Sequence, residues 1–393
     1  MLLFNIWQKL INFKKPYRVL NWVKPSSNNL VHNYNLFQNQ KPDFNILPVL
    51  KSNAYGHGLQ DIAKILLKLK PKYLVVDGYF EALKIRKIDQ NQPVLIMGSI
   101  ALENYLFLKT KNFTFVVHDL ESISALRARK EKIKIHLELN TGMNRHGIDP
   151  DEIEKYLKYI KMYSNLNLEG VMSHLADADN PNDQGYNQHQ TKLFDETVNK
   201  IISFGFDLKY IHLAQSAGSQ KILSKFANSI RLGLGLYGIN PLDSDDVCSS
   251  NLQDLKPVLS LHSTITKIIE LKKGEKVSYN GIFQAKEDTR VAVVPLGYYE
   301  GFDRILSNQV QVKHINETEN SQKINFVKVA GRICMNHAII ELGGLPAKCG
   351  DEVIIYSNQR RDANSLQNLW KTYQLFPYST LVHINENIRR VTI

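Results

Sequence analysis

Cysteine is scarce and poorly placed for cross-linking. The chain has three, Cys248, Cys334 and Cys349, an odd number at wide spacing with no CxxC pair. A disulfide scaffold is excluded, and free thiols in a reducing cytoplasm are expected. A membrane span is not expected either. Residues 1–13 are apolar, but they fall short of the roughly 20 residues a spanning helix needs. Lys14 and Lys15 follow this stretch rather than precede it, and no small-residue cleavage site comes after it, so a signal peptide is not expected. Leu3, Ile6, Trp7, Leu10 and Ile11 fall on one helical face, which suits a helical extension packed on the body or on a partner better than a membrane-surface anchor. Nothing matches an RRM, a zinc finger or a basic zipper. Lysine is spread along the whole chain, so 49 Lys and Arg against 38 Asp and Glu, a net charge of +11, does not point to nucleic acid.

Core-forming material is ample. Of 393 residues 43% are hydrophobic and 22% charged, a globular composition rather than a disordered or fibrous one, and the length favours two domains. From about residue 46 a unit repeats: a short apolar strand, a turn, an amphipathic helix. Strands are expected at 46–51, 73–77, 94–99, 113–118, 134–140, 166–174, 210–215 and 230–236. Helical spacing joins Leu59, Ile62, Ala63, Leu66 and Leu67, and again Val198, Ile201 and Ile202. Eight such units imply an α/β fold of the (β/α)8, TIM-like barrel type, with an open doubly wound sheet as the alternative.

The pattern changes after Gly238. Pro241 and the polar stretch 243–254 read as a linker. Strand-like runs without helices follow at 258–268, 290–294, 325–329, 337–341 and 352–356, with a polar hairpin tip expected at 314–322. The expected organisation is an N-terminal extension at 1–16, a barrel at 17–242 and a mostly β C-terminal domain at 255–393. Gly233-Leu234-Gly235-Leu236-Tyr237-Gly238 spells GxGxxG, but it precedes a linker and a β domain instead of opening a helix in a βαβ unit, which argues against a dinucleotide site. After the eighth strand of a barrel, glycines let backbone N–H groups approach a phosphate.

The most informative segment is Val49-Leu50-Lys51-Ser52-Asn53-Ala54-Tyr55-Gly56-His57-Gly58. A lysine at the C-terminal end of a barrel strand faces the active site. An amine in a dry pocket favours its neutral form, which makes it a Schiff-base nucleophile and then a base. This decapeptide closely resembles the pyridoxal-phosphate attachment site of the alanine racemase family, whose members join a (β/α)8 barrel to a C-terminal β domain. Similar blocks follow in family order: Asn140-Thr141-Gly142-Met143-Asn144-Arg145-His146-Gly147, Ser173-His174, His212 with Ser216-Ala217, Arg231 through Gly238, Val277-Ser278-Tyr279, Leu296-Gly297-Tyr298, and Gly331-Arg332-Ile333-Cys334-Met335. The resemblance runs from about residue 17 to the C-terminus.

Carried over position by position, the resemblance implies that Lys51 holds pyridoxal 5'-phosphate as a Schiff base. Tyr55, Ser216 and the backbone at Gly233 and Leu234 would hold its phosphate. Arg231, supported by His174, would face the pyridine nitrogen. Lys51 and Tyr279 would be the two bases, with Tyr279 supplied by the second subunit of a homodimer with shared active sites. Arg145, Tyr298 and the backbone of Met335 would position a small amino-acid substrate through its carboxylate. No metal is expected.

Departures from the family pattern fall near the same site. Glu138 stands where many members carry a lysine modified to a carbamate, and the expectation is that its carboxylate pairs with Arg145 directly. Asn140 and Asn336 stand where Asp is usual, and Gln215 replaces a common Asn. Around 384–390 a tyrosine that contacts the phosphate in many relatives is missing, with Glu386 as its nearest counterpart, and the room so gained makes serine a credible substrate beside alanine. The favoured function is an alanine racemase that supplies D-alanine for peptidoglycan. A non-catalytic pyridoxal-phosphate-binding protein is disfavoured by the long β domain with Val277-Ser278-Tyr279, and a decarboxylase by the two-face pairing of Lys51 with Tyr279.

Overall fold

The computed structural model describes residues 18–181, 185–221, 224–318 and 321–392. The apolar stretch 1–13 and its expected helix lie outside the described residues. Among the described residues the first element is β1 (Trp22–Pro25), and eight parallel strands then form the barrel: β2 (Asn45–Pro48), β3 (Leu74–Val76), β4 (Val94–Ile96), β5 (Phe113–Val117), β6 (Ile133–Glu138), β7 (Leu166–Met172), β8 (Tyr210–His212) and β9 (Ser229–Leu232). They match the eight spans expected from the apolar runs, each somewhat shorter because the strand ends turn into loops, with β2, β6 and β9 starting one residue earlier than expected. Strands β3 to β8 pair consecutively and β2 pairs with β9. The ring closes through a parallel bridge between Val49 and Val75 and through the Arg231 N–H, which donates to the Ala214 carbonyl at 3.1 Å.

The described helices are α1 (Ser27–Gln40), α2 (Leu59–Leu67), α3 (Tyr79–Arg86), α4 (Leu120–Arg127), α5 (Ile153–Lys161), α6 (Gly185–Ser203), α7 (Leu366–Tyr373) and α8 (Pro377–Val382). Between β4 and β5 the connection carries a short 3-10 turn at Leu102–Phe107 instead of a full helix. α2 forms where apolar residues recur at helical spacing, and Leu59, Ile62, Ala63 and Leu66 are all buried against the barrel. α1 begins where the Ser26 hydroxyl accepts the Asn29 N–H. On its inner face Asn33 donates to the carbonyls of Leu236 and Lys256 at 3.1 and 2.8 Å and accepts the Lys256 N–H at 2.9 Å, which ties down the chain after β9.

The second unit is built on sheets. β10 (Leu259–Thr264), β11 (Lys267–Leu271), β12 (Lys276–Val277), β13 (Phe283–Gln284), β14 (Thr289–Val294), β15 (Gln311–Thr318), β16 (Ser321–Lys328), β17 (Ala338–Glu341), β18 (Glu352–Tyr356) and β19 (Arg389–Arg390) follow in order. One sheet runs β16-β15-β18-β10-β1-β19, a second runs β11-β14-β17, and β12 pairs with β13. The polar stretch 314–322 is mostly strand, not only a hairpin tip. Its polar side chains are used inside the unit: His314 Nε2 meets Asp351 Oδ2 at 2.9 Å and Asn316 donates to the Pro346 carbonyl at 2.6 Å.

The chain does not divide at a single point. Residues 18–24, 261–356 and 387–391 belong to the β unit, while 25–260 and 357–386 belong to the barrel unit. The late segment carrying α7 and α8 therefore packs with the barrel. A Cβ on Gly56 would lie 1.9 Å from the Leu381 carbonyl oxygen of α8, so that approach requires glycine.

Candidate active site

β2 ends at Pro48, and the chain is held as it leaves the barrel: the Leu50 N–H donates to the Val75 carbonyl at 2.7 Å and the Tyr237 hydroxyl donates to the Val49 carbonyl at 2.8 Å. Lys51 follows at the C-terminal mouth. Ser52, Asn53, Ala54 and Tyr55 then take consecutive left-handed conformations, with φ of 55°, 55°, 54° and 51°. Each such residue costs roughly 1–2 kcal/mol. The turn persists because it is bonded throughout. Gly56 N–H reaches the Ser52 carbonyl at 3.1 Å, Gly58 N–H reaches the Asn53 carbonyl at 3.0 Å, and Asn53 Oδ1 accepts the Leu59 N–H at 2.9 Å to cap α2.

Lys51 opens into a cavity of about 620 Å³, the size of a cofactor site. The cavity brings together Lys51, Tyr55, Glu138, Arg145, His174, Ser216, Arg231, Gly233 and Leu234, every barrel residue expected from the sequence. At one end the Ser216 hydroxyl accepts the N–H groups of Gly233 and Gly235, both at 3.1 Å, which leaves its own proton to donate. A Cβ on Gly233 would lie 2.8 Å from the Tyr55 hydroxyl, so glycine lets that hydroxyl approach the turn. Burial pushes Tyr55 upward, with the Tyr378 and Asp77 side chains adding to the effect, so it is a neutral donor at any ordinary pH.

Arg231, buried on β9, reaches across to the ends of β7 and β8. Its Nη1 contacts His212 Nδ1 at 3.0 Å and the His212 carbonyl at 2.5 Å. Its Nη2 contacts the Ser173 and Leu213 carbonyls at 2.7 and 3.1 Å and His174 Nδ1 at 3.2 Å. A guanidinium can only donate, so both imidazoles accept through Nδ1 and carry their proton on Nε2. Burial and the neighbouring cations Arg231, Arg145 and Lys51 lower His174 to about 3. Burial also lowers Arg231, to about 10, which leaves it charged at neutral pH. Its Nε–H has no hydrogen-bond partner among the described residues.

Tyr279, Tyr298 and Met335 belong to the β unit, where neighbouring turns gather them. Ser278, at φ 63°, places its hydroxyl on the Arg332 carbonyl at 2.6 Å. Tyr298 N–H donates to the Cys334 carbonyl at 3.1 Å and Tyr299 N–H to the Met335 carbonyl at 3.0 Å. Tyr279, Tyr298 and Met335 are all exposed.

Two expectations change. No hydrogen bond or ion pair joins Glu138 to Arg145 among the described residues. Arg145 is exposed on a turn that passes through Asn144 at φ 51°, and Glu138 instead lies with His118 and His146, their ligand atoms within 4.8 Å of one another. The C-terminal aromatic is also not missing. Tyr378, from α8, lines the cavity with its ring 6.4 Å from that of Tyr55, while Glu386 is exposed and is not among the lining residues.

The two Asn-for-Asp departures have a common reason. Asn140 accepts the N–H groups of Gly142 and Asn144 at 3.3 and 3.1 Å and donates to Asp149 Oδ1 at 3.0 Å. Asn336 donates to Glu300 Oε1 at 2.9 Å. An ionised Asp could make neither bond to a carboxylate. Gln215 donates to the Leu175 carbonyl at 3.2 Å.

A lysine and a glycine turn at the mouth of a (β/α)8 barrel, followed in the chain by a unit built on sheets, define a two-domain barrel protein. Residues 26–241 match the description "Alanine racemase, N-terminal domain" and residues 258–392 "Alanine racemase, C-terminal domain". The chain belongs to the alanine racemase family. It is 31% identical over 387 residues to the alanine racemase of Helicobacter acinonychis (strain Sheeba), covering 96% of this chain and 100% of that one. It is 33% identical over 375 residues to that of Borreliella burgdorferi (strain ZS7), covering 92% and 94%. Among solved structures, the alanine racemase of Clostridium difficile 630 superimposes with a TM-score of 0.85 at 27% identity, covering 96% of this chain and 97% of that one. The alanine racemase of Bacillus anthracis, solved with bound L-Ala-P, gives a TM-score of 0.83 at 26% identity, with 96% of each chain covered.

Proposed function

We propose that this protein interconverts L-alanine and D-alanine with pyridoxal 5'-phosphate held on Lys51, and supplies D-alanine for peptidoglycan. The observation that carries this reading is the convergence on one cavity of Lys51, the Ser216–Gly233–Gly235 turn and an Arg231 whose Nε–H is left over. These groups fit the cofactor at three points: an amine for its aldehyde, a glycine turn and two neutral hydroxyls for its phosphate, and an N–H donor for its ring nitrogen. When bound, the cofactor supplies an electron sink for negative charge at the substrate α-carbon. Arg231 limits that sink, because a guanidinium donates a hydrogen bond to the ring nitrogen without giving up its proton. The lifetime of the negative charge is kept short, which suits racemisation over transamination.

Lys51 Nζ takes or returns the α-proton on one face, and the Tyr279 hydroxyl serves the other, contributed by the second copy in a homodimer. Exposure of Tyr279, Tyr298 and Met335 on neighbouring turns of the β unit supports that role. Arg145, exposed beside the cavity, is suited to the substrate carboxylate. Tyr378 occupies the wall where a missing aromatic would have made room, so alanine is favoured over serine. The free cysteines accord with action in the cytoplasm, and no described helix is long and apolar enough to cross a membrane. The test is D-alanine formation from L-alanine by the cofactor-loaded protein, with L-serine in parallel. Turnover of alanine well above serine is expected; absence of D-alanine with the cofactor bound would refute the assignment.

A further inference from the structure

We propose that His118, Glu138 and His146 form a binding site for one divalent transition-metal ion on the wall of the barrel cavity. Parallel pairing of β5 and β6 places Val117 opposite Leu137, so His118 and Glu138 emerge side by side at the C-terminal strand ends. The following loop returns to the same place. Asn140 N–H donates to the Ile148 carbonyl at 2.9 Å and Ile148 N–H to the Glu138 carbonyl at 2.8 Å, and the Asn140 side chain pins the turn between them. His146 is thereby held over Glu138, with the His118 and His146 rings 4.9 Å apart.

The donor set is primed for a ligand. Glu138 is 7% exposed and has no hydrogen-bond or ion-pair partner among the described residues. His118 Nδ1 is buried with no partner, while its Nε2 meets Asp119 Oδ2 at 3.3 Å. Asp119 is itself fixed, because its other oxygen caps α4 by accepting the Ser122 N–H at 2.6 Å. A carboxylate on the far nitrogen of an imidazole orients the near one toward a metal. The three ligand atoms lie within 4.8 Å of one another, and tetrahedral ligands at about 2.0–2.1 Å from an ion stand roughly 3.4 Å apart. Rotation of the exposed His146 closes that difference.

Two imidazoles and one carboxylate select zinc, cobalt, nickel or copper over magnesium or calcium. Three protein ligands leave a position open toward the cavity, as in reactive rather than structural sites. No local spacing marks the site, because the three residues meet only through strand register and a returning loop.

The test is titration of the full-length, cofactor-loaded protein with Co2+ in the absence of amino acid, read as a visible d–d difference spectrum. Binding of one ion per chain without a thiolate charge-transfer band is expected, at least tenfold weaker in both H146Q and H118Q. Absence of saturable binding, equal affinity in the wild type and the two variants, or a thiolate band placing the ion on cysteine would each overturn the proposal. The readout is independent of racemase turnover, so its outcome and that of the alanine assay are separable.

Discussion

Arg231 Nη1 stands 3.0 Å from His212 Nδ1 inside the barrel, and this contact fixes the protons of a longer chain. His212 must accept there, so its Nε2 carries hydrogen and donates to His136 Nδ1 at 2.8 Å. His136 then carries hydrogen on Nε2, which faces Glu169 Oε1 at 4.0 Å. Glu169 is bonded by Tyr73 and paired with Lys134. The ring of His136 fits because residue 170 is glycine; a Cβ there would lie 2.6 Å from the imidazole.

Acid stability follows from this column. Burial lowers His136 to about 3, and Lys134 adds to the effect; His174 is also near 3 and His212 is lowered by burial and by Arg231. Each is a base depressed below its unfolded value of 6.5, so between about 6.5 and 3 the unfolded chain binds more protons. Stability is therefore highest above that window and falls as pH drops through it, by up to about 1.4 kcal/mol per pH unit for each histidine. Urea midpoints measured from pH 8 to pH 5 will show the decline, and a flat profile would contradict it.

Removing one member should cost stability. His136→Phe leaves the buried His212 Nε2–H without an acceptor, a loss of about 1–3 kcal/mol. Denaturant unfolding at pH 8 reads this directly, and the slope of stability below pH 6.5 should be shallower in the variant.

The proposed phosphate end of the cavity is open to two substitutions. Ser216→Ala strips the acceptor from the Gly233 and Gly235 N–H groups and should weaken cofactor affinity roughly tenfold or more. Tyr378→Phe removes only a hydroxyl, one that burial holds at about 12, and should weaken cofactor binding several-fold with unfolding unchanged. Fluorescence titration with pyridoxal 5'-phosphate measures both.

Tyr279→Phe should retain the cofactor spectrum and slow racemisation equally in both directions, because the equilibrium between enantiomers is fixed. Progress curves from L- and D-alanine check this, and unimpaired turnover would remove Tyr279 from the mechanism.

Local patterns carried most of the architecture. Eight apolar runs with helical spacing between them were enough for the barrel, and Lys51 stood out because a charged residue closed an apolar strand. What escaped the sequence depends on contacts between distant segments. Tyr378 reaches the cavity only because 357–386 packs with the barrel unit, which no local pattern reveals. The left-handed turn after Lys51 was half visible in Asn53, Gly56 and Gly58, yet Ser52, Ala54 and Tyr55 carry no such signal. Pairing of His136 with His212 depends on a register shift between Ile135 and His136 in β6, and the partners of Glu138 depend on strand register and a returning loop.

Lys51 is expected to move the α-proton of alanine. Exchange of α-deuterium from labelled L-alanine into water, followed by NMR with the cofactor present, tests it most directly. The wild type should lose deuterium and Lys51→Ala, lacking the visible band of bound cofactor, should not. Retained deuterium in the cofactor-loaded wild type, or equal loss in both proteins, would contradict the account.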